Sequence, residues 1–178
     1  GASPVSPKSG ARPKRTILFI GFAGEEFGLL GAQAWVKAHK DKLPKIANLF
    51  NRDGGPEPPV GISVPQAMYD DFVKISEPIQ KIRPDYPFEV KVREPRKRPT
   101  RMGGTDASVF AIEGVPTLGF TTEDFKGYDF DYGEIWHTER DLYTKNIPEY
   151  QEHTATVTAI IALGVANLDK QLSREGLY

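Results

Sequence analysis

Residues 15–24, Arg-Thr-Ile-Leu-Phe-Ile-Gly-Phe-Ala-Gly, form a near-continuous apolar run that ends on Glu25-Glu26. β-Branched and aromatic residues without alternation suit a strand buried on both faces, as in the parallel part of an α/β sheet. Residues 29–40 then read as a helix, with Leu30, Ala34 and Trp35 on one face and Lys37 and Lys40 near its end. Residues 45–52 read as a second strand that stops at Asp53-Gly54-Gly55-Pro56. Strand, helix and strand at this spacing predict a βαβ unit with parallel strands.

Further on, residues 66–82 carry a helical stripe of Met68, Phe72, Ile75, Ile79 and Ile82, which Pro78 is expected to kink or split. Residues 87–92 alternate and predict an edge strand. A turn at 103–106 leads into a short helix through Phe110, and 114–120 reads as a strand. Residues 121–146 form a long loop, a length that in a compact domain points to function or poor order. A last helix spans about 148–169, with Pro148 in its first turn and a broad apolar side.

Composition removes several chemistries. The 178 residues fit one domain, and 23 basic against 24 acidic residues give a net charge of −1, without a global pull toward nucleic acid or an anionic membrane. The basic loop 93–101 lacks interleaved aromatics and reads as solvated. No apolar run is long enough to span a membrane. There are no cysteines, so thiol nucleophiles, cysteine zinc sites and disulfides are excluded. Only three histidines occur, His39, His137 and His153, so any metal site must lean on carboxylates or lie partly outside this chain. Residues 1–12 lack periodicity and the apolar core of a signal peptide, and read as a disordered leader or a cut edge.

Four residues carry the candidate chemistry. Glu25 and Glu26 stand at a strand's carboxyl end, where open α/β sheets place ligands. One can hold a metal while the other takes a proton from water, although two acids at a helix start also suit the helix dipole. Asp53 ends the next strand, and its glycines allow a ligand's close approach or simply a tight turn. His137, in Ile-Trp-His-Thr-Glu-Arg-Asp, offers an imidazole ligand or an ordinary surface histidine. Asp106 is expected to cap its helix. His39 and His153 read as structural, the first at a helix end between lysines.

The ordered set Ala-Gly-Glu-Glu-Phe-Gly-Leu-Leu-Gly, Asn-Arg-Asp-Gly-Gly, Gly-Thr-Asp-Ala-Ser-Val-Phe, Gly-Val-Pro-Thr-Leu-Gly-Phe and Ile-Trp-His-Thr-Glu-Arg-Asp resembles the dinuclear-zinc aminopeptidases, relatives of bacterial leucyl aminopeptidase, glutamate carboxypeptidase II and the glutaminyl cyclases. The resemblance covers about residues 13–170 and corresponds to the C-terminal two-thirds of that catalytic domain. It implies a three-layer α/β/α fold with a mostly parallel mixed sheet, without its N-terminal strands, over residues 13–178. It assigns Glu25 as general base, Glu26 and His137 as ligands of one zinc, and Asp53 as a ligand of the other. The implied activity is hydrolysis of N-terminal peptide bonds, with a peptide as partner and a secreted or periplasmic setting. The family's His-x-Asp motif and bridging aspartate have no counterpart before Glu25, where no histidine or aspartate occurs. The chain alone is therefore expected to bind two zincs poorly and to be inactive, and an exposed sheet edge is expected to favour self-association. A non-catalytic peptidase-like binding domain and a single-zinc glutaminyl cyclase remain alternatives.

Overall fold

The computed structural model describes residues 10–174 and 176. Its elements run α1 (Leu30–Ala38), β1 (Leu49–Phe50), β2 (Pro59–Val64), α2 (Tyr69–Ile82), β3 (Glu89–Val92), α3 (Asp106–Ile112), β4 (Thr117–Leu118), β5 (Phe120–Thr122), α4 (Tyr132–Ile135) and α5 (Pro148–Asn167). The described residues are thus mixed α/β, with two small sheets. β1 pairs parallel with β4, β2 pairs parallel with β3, and β5 closes antiparallel on the other side of β2. The two sheets share one chain segment, because β4 passes into β5 across Gly119. Phe50 of β1 stacks on Phe120 of β5 at 5.7 Å, so the end of β1 is tied to the second sheet.

Two apolar cores follow from this layout. Ile62 and Val64 of β2 pack with Phe72 and Ile79 of α2 and with Val157 and Ile161 of α5. Leu29, Ala32 and Val36 of the α1 region pack with Val109 and Phe110 of α3 and with Val115. α2 and α5 touch through Gly164, where an added Cβ would lie 2.4 Å from Cγ2 of Ile75. Pro78 does not split α2, which is unbroken from Tyr69 to Ile82. Pro78 is exposed, so water can reach the carbonyl that loses its amide partner.

The parallel crossover lies elsewhere than expected. Residues 15–24 form no strand, and Leu18, Phe19 and Ile20 stay 45 %, 60 % and 38 % exposed. A strand needs a ladder, and no described strand pairs with this segment. Its base is held instead by polar contacts to the end of α5. The Lys14 amide donates to Asn167 Oδ1 at 2.9 Å, and the Arg15 guanidinium donates to the carbonyl of Leu168 at 2.6 Å. The β-α-β unit that forms is β2-α2-β3. The missed strand β2 begins at buried Pro59, a position where a strand tolerates proline because no ladder donor is needed.

The long loop 121–146 is ordered by a polar clasp at its root. Tyr150 donates from its hydroxyl to Asp124 Oδ1 at 2.6 Å, and the Lys126 amide donates to the Tyr150 hydroxyl at 3.0 Å. Lys126 Nζ donates to Glu149 Oε2 at 2.6 Å, and the Tyr86 hydroxyl donates to the same oxygen at 3.0 Å. The Tyr128 hydroxyl also donates to Glu149. These donors hold the Glu149 carboxyl down to about 2, the Lys126 contact being the largest cause.

Two outcomes are expected. Gly164→Ala should lower stability by about 1–2 kcal/mol in urea unfolding, because overpacking against a β-branched neighbour outweighs the better helix propensity of alanine. Glu149 is more acidic folded than unfolded, so its contribution is complete above the ordinary carboxylate range and is lost as pH falls toward about 2. Glu149→Gln should therefore flatten the acid limb of the stability curve below about pH 4.5, and an unchanged limb would show that the clasp does not couple to folding.

Candidate active site

Glu25 and Glu26 sit in a tight turn built by the glycines around them. The amides of Gly28 and Leu29 both donate to the Glu25 carbonyl, at 3.0 and 2.8 Å. Gly28 has φ +104°, a region that disfavours other residues, and Leu29 follows at φ +61°. At Gly31 a Cβ would meet the Ala23 carbonyl oxygen at 2.5 Å, so only glycine lets α1 start this close to the preceding segment. Gly31 also donates its amide to that oxygen at 2.8 Å. The turn thus sets the two carboxylates at the head of α1, although the strand expected to precede them is absent.

His137 approaches from the other side. It follows α4 at φ +56°, a left-handed conformation that non-glycine residues seldom adopt and that gathers at functional positions. Its ring stacks on Trp136 at 4.4 Å, and Trp136 in turn stacks on Tyr132 at 6.4 Å. His137 Nε2 donates to Glu26 Oε1 at 2.8 Å across a separation of 111 residues. The two side chains are 53 % and 63 % exposed. A polar contact that open contributes about 0–1 kcal/mol, so it does little for the fold.

Asp53 lies just past β1, and its Oδ2 accepts from Asn51 Nδ2 at 3.0 Å. Glu25, Glu26, Asp53 and His137 all line one open cleft of about 1330 Å³. The charges in it act on one another. Glu25 is pushed up by partial desolvation first, then by the negative charges of Glu26, Asp53 and Asp106, against an opposing pull from His137. Asp106 is pushed up by burial and by Asp53. A carboxylate raised toward neutrality is suited to accepting a proton.

Asp106 differs from its expected role as a cap. The N-cap position is Thr105, no side-chain cap bond forms, and Asp106 is the first helical residue. It is 7 % exposed, and its Oδ1 has no hydrogen-bond partner among the described residues. Its backbone is helical, so its side chain cannot reach back to the amides that a cap would satisfy. The other histidines are committed elsewhere. His153 is fully buried, stacks on Tyr86 at 3.9 Å and gives Nε2–H to the Pro59 carbonyl at 3.0 Å. His39 stacks on Trp35 at 4.4 Å, with Nδ1 2.8 Å from the Trp35 carbonyl oxygen.

Metal capacity follows from the donor positions. Zinc bonds of about 2.0–2.1 Å at a tetrahedral angle set nitrogen and oxygen ligands about 3.3 Å apart. The Glu26–His137 pair, at 2.8 Å, needs to open only slightly to share an ion. Among the described residues, however, no group of three or more His, Asp or Glu side chains gathers closely enough to hold one. The residues present therefore supply two donors and a nearby aspartate, and do not close a metal site by themselves. Sequence reasoning missed the Asp124, Lys126 and Glu149 clasp, because it joins a loop to α5 and matches no motif spacing.

Comparison with known proteins fits this arrangement. The sequence pattern of peptidase family M28 matches residues 4–161. Carboxypeptidase Q of Mus musculus is 25 % identical over 170 residues, covering 93 % of this chain and 32 % of the mouse protein. A probable zinc metalloprotease of Pyrenophora tritici-repentis is 48 % identical over 42 residues, covering 24 % of this chain and 10 % of that protein. The crystal structure of a peptidase M28 precursor from Shewanella amazonensis aligns with TM-score 0.68 at 25 % identity, over 91 % of this chain and 34 % of the other. A zinc aminopeptidase from Bacillus subtilis shares the fold with TM-score 0.58 at 18 % identity, over 94 % of this chain and 40 % of that one. The chain spans about a third of the length of the first two carboxypeptidase Q relatives, 32 % in each. With most of its residues matched by the family pattern, the chain belongs to peptidase family M28.

Proposed function

We propose that this protein takes part in metal-dependent hydrolysis of the peptide bond next to a free N-terminus, as an aminopeptidase. The observation that carries the reading is the exposed Glu26–His137 pair, which contributes little to stability and stands beside Glu25 in an acidic cleft. Glu25 is the general base that takes a proton from the attacking water, a role its raised pKa suits. Glu26, His137 and Asp53 are the residues offered to zinc.

The charge balance of the cleft favours the amino end of a peptide over the carboxyl end. Its cations are already engaged. Arg52 donates to the carbonyls of Gly55 and Glu57 at 2.6 and 2.7 Å, and Lys145 donates to Glu134 at 3.3 Å. Its carboxylates are less satisfied. Among the described residues Glu25 accepts no side-chain hydrogen bond, and Asp53 accepts only that from Asn51. A substrate ammonium group would offset this negative surplus, whereas a terminal carboxylate would add to it.

Because the described donors do not close around an ion, the chain by itself is proposed to hold zinc loosely and to turn over slowly or not at all. The secreted or periplasmic setting is proposed on the resemblance alone. Among the described residues, no helix is long and apolar enough to cross a membrane.

Two measurements test the reading. Calorimetric titration should show L-leucinamide binding at least about tenfold more tightly than N-acetyl-L-leucinamide, and Asp53→Asn should erase most of that difference, about 1.4 kcal/mol. Equal affinity for the two ligands would overturn amine recognition. Where zinc-supplemented hydrolysis of L-leucyl-p-nitroanilide is measurable, Glu25→Gln should reduce kcat by about 10²–10⁴-fold. Retained activity would remove Glu25 from the proposed chemistry.

A further inference from the structure

Residues 124–137 run from the clasp to His137, and Tyr132, Ile135, Trp136 and His137 among them line the cleft. Along the way they touch the Asp53 turn. A Cβ on Gly55 would lie 2.5 Å from the ring tip of Phe130 and 3.3 Å from the Tyr132 ring. Gly55 therefore lets two aromatic rings of the loop settle directly on the turn that presents Asp53. From Tyr132 the stack continues through Trp136 to His137, and from there to Glu26. Unbroken contact thus runs from the start of α5 to both sides of the cleft.

We propose that Asp124, Lys126 and Glu149 are positioning residues for the site: by fixing the root of the 124–137 strap on α5, they set where its far end places His137 and how it presses on the Asp53 turn. The inference rests on reading Asp53 and His137 as parts of one site. The root is built for rigidity. Asp124 accepts from the Tyr150 hydroxyl at 2.6 Å, and its other oxygen lies 3.4 Å from the Phe130 amide, which donates to it. Lys126 is shared between Glu149 at 2.6 Å and Asp85 at 3.7 Å, with its ammonium 4.5 Å from the Tyr86 ring centre. Tyr86 and Tyr150 are themselves buried, 1 % and 0 % exposed, so the clasp is anchored in packed structure.

At the far end, by contrast, nothing large is buried beyond Ile135. Trp136 is 56 % exposed, and His137 carries an unfavourable positive φ. Such an end has little packing of its own to hold it. Its geometry must be imposed from the root and from the Gly55 contact.

Hydrogen exchange on the full chain tests this without any bound ligand. The reporters are the amides of Glu134, Trp136 and Thr138, which donate to carbonyls within the strap. Lys126→Met and Glu149→Gln should each speed exchange at these amides by about tenfold, with α2 and α5 unchanged. Lys126→Arg should restore slow exchange. Gly55→Ala, acting from the opposite end, should speed the same amides. The same variants that loosen the strap should weaken L-leucinamide binding. Unchanged exchange at 134–138 would overturn the proposal. Acceleration spread equally through α2 and α5 would also overturn it, because the clasp would then be a general brace of the fold. If wild-type protein fails to distinguish L-leucinamide from its N-acetyl form, the aminopeptidase reading falls, and the exchange pattern still decides the strap.

Discussion

One exposed hydrogen bond, from His137 to Glu26, joins positions 111 residues apart. It is too weak to hold those segments together in water, so each partner must be delivered by its own scaffold. Glu26 is delivered by the glycine turn at the head of α1, which Gly31 allows to approach Ala23 closely. His137 is delivered by the strap that starts at the Asp124–Tyr150 and Lys126–Glu149 contacts. The site is the meeting of two independently fixed ends, and its geometry is only as good as those two anchors.

The two apolar cores explain how these anchors share one frame. The α1–α3 cluster carries the Glu25-Glu26 turn through buried Leu29, and the α2–α5 cluster carries the root of the strap. The cores are bridged by the short run through β4 and β5, by the Phe50–Phe120 stack, and by the pairing of β1 with β4. Asp53 follows β1 by three positions and so sits near the seam between the cores. A cleft at such a seam is where small-molecule and peptide sites commonly form.

Much of this was legible in the sequence where local chemistry decides structure. Helices α1, α2 and α5 follow from their apolar periods, α3 from the turn that precedes it, and the edge strand β3 from its alternation. The gathering of Glu25, Glu26, Asp53 and His137 in one cleft was legible only through the ordered family resemblance, since each residue alone has an ordinary explanation. Four features were not legible, each for a physical reason. The apolar run 15–24 has strand chemistry, but a strand exists only with a neighbour, and neighbours are not written locally. β2 was hidden behind Pro58 and Pro59, which look like a breaker yet suit a strand's first position. Asp106 looks like a cap, but the chain turns helical one residue earlier, leaving it buried beside acidic neighbours. The clasp joins Tyr86, Lys126 and Glu149 from two connecting loops and α5, a relation that no sequence spacing announces.

The most direct measurement of the central claim is an NMR titration of the three histidine side chains with Zn²⁺, read at the imidazole Cε1–H. The account predicts that His137 responds alone, since it faces the cleft beside Glu26. His153, buried against Tyr86 and bonded to Pro59, and His39, stacked on Trp35, should stay unchanged. Glu26→Gln should weaken the His137 response. A response at His39 or His153, or none at His137 at millimolar zinc, would contradict the assignment of this cleft as the metal-dependent site.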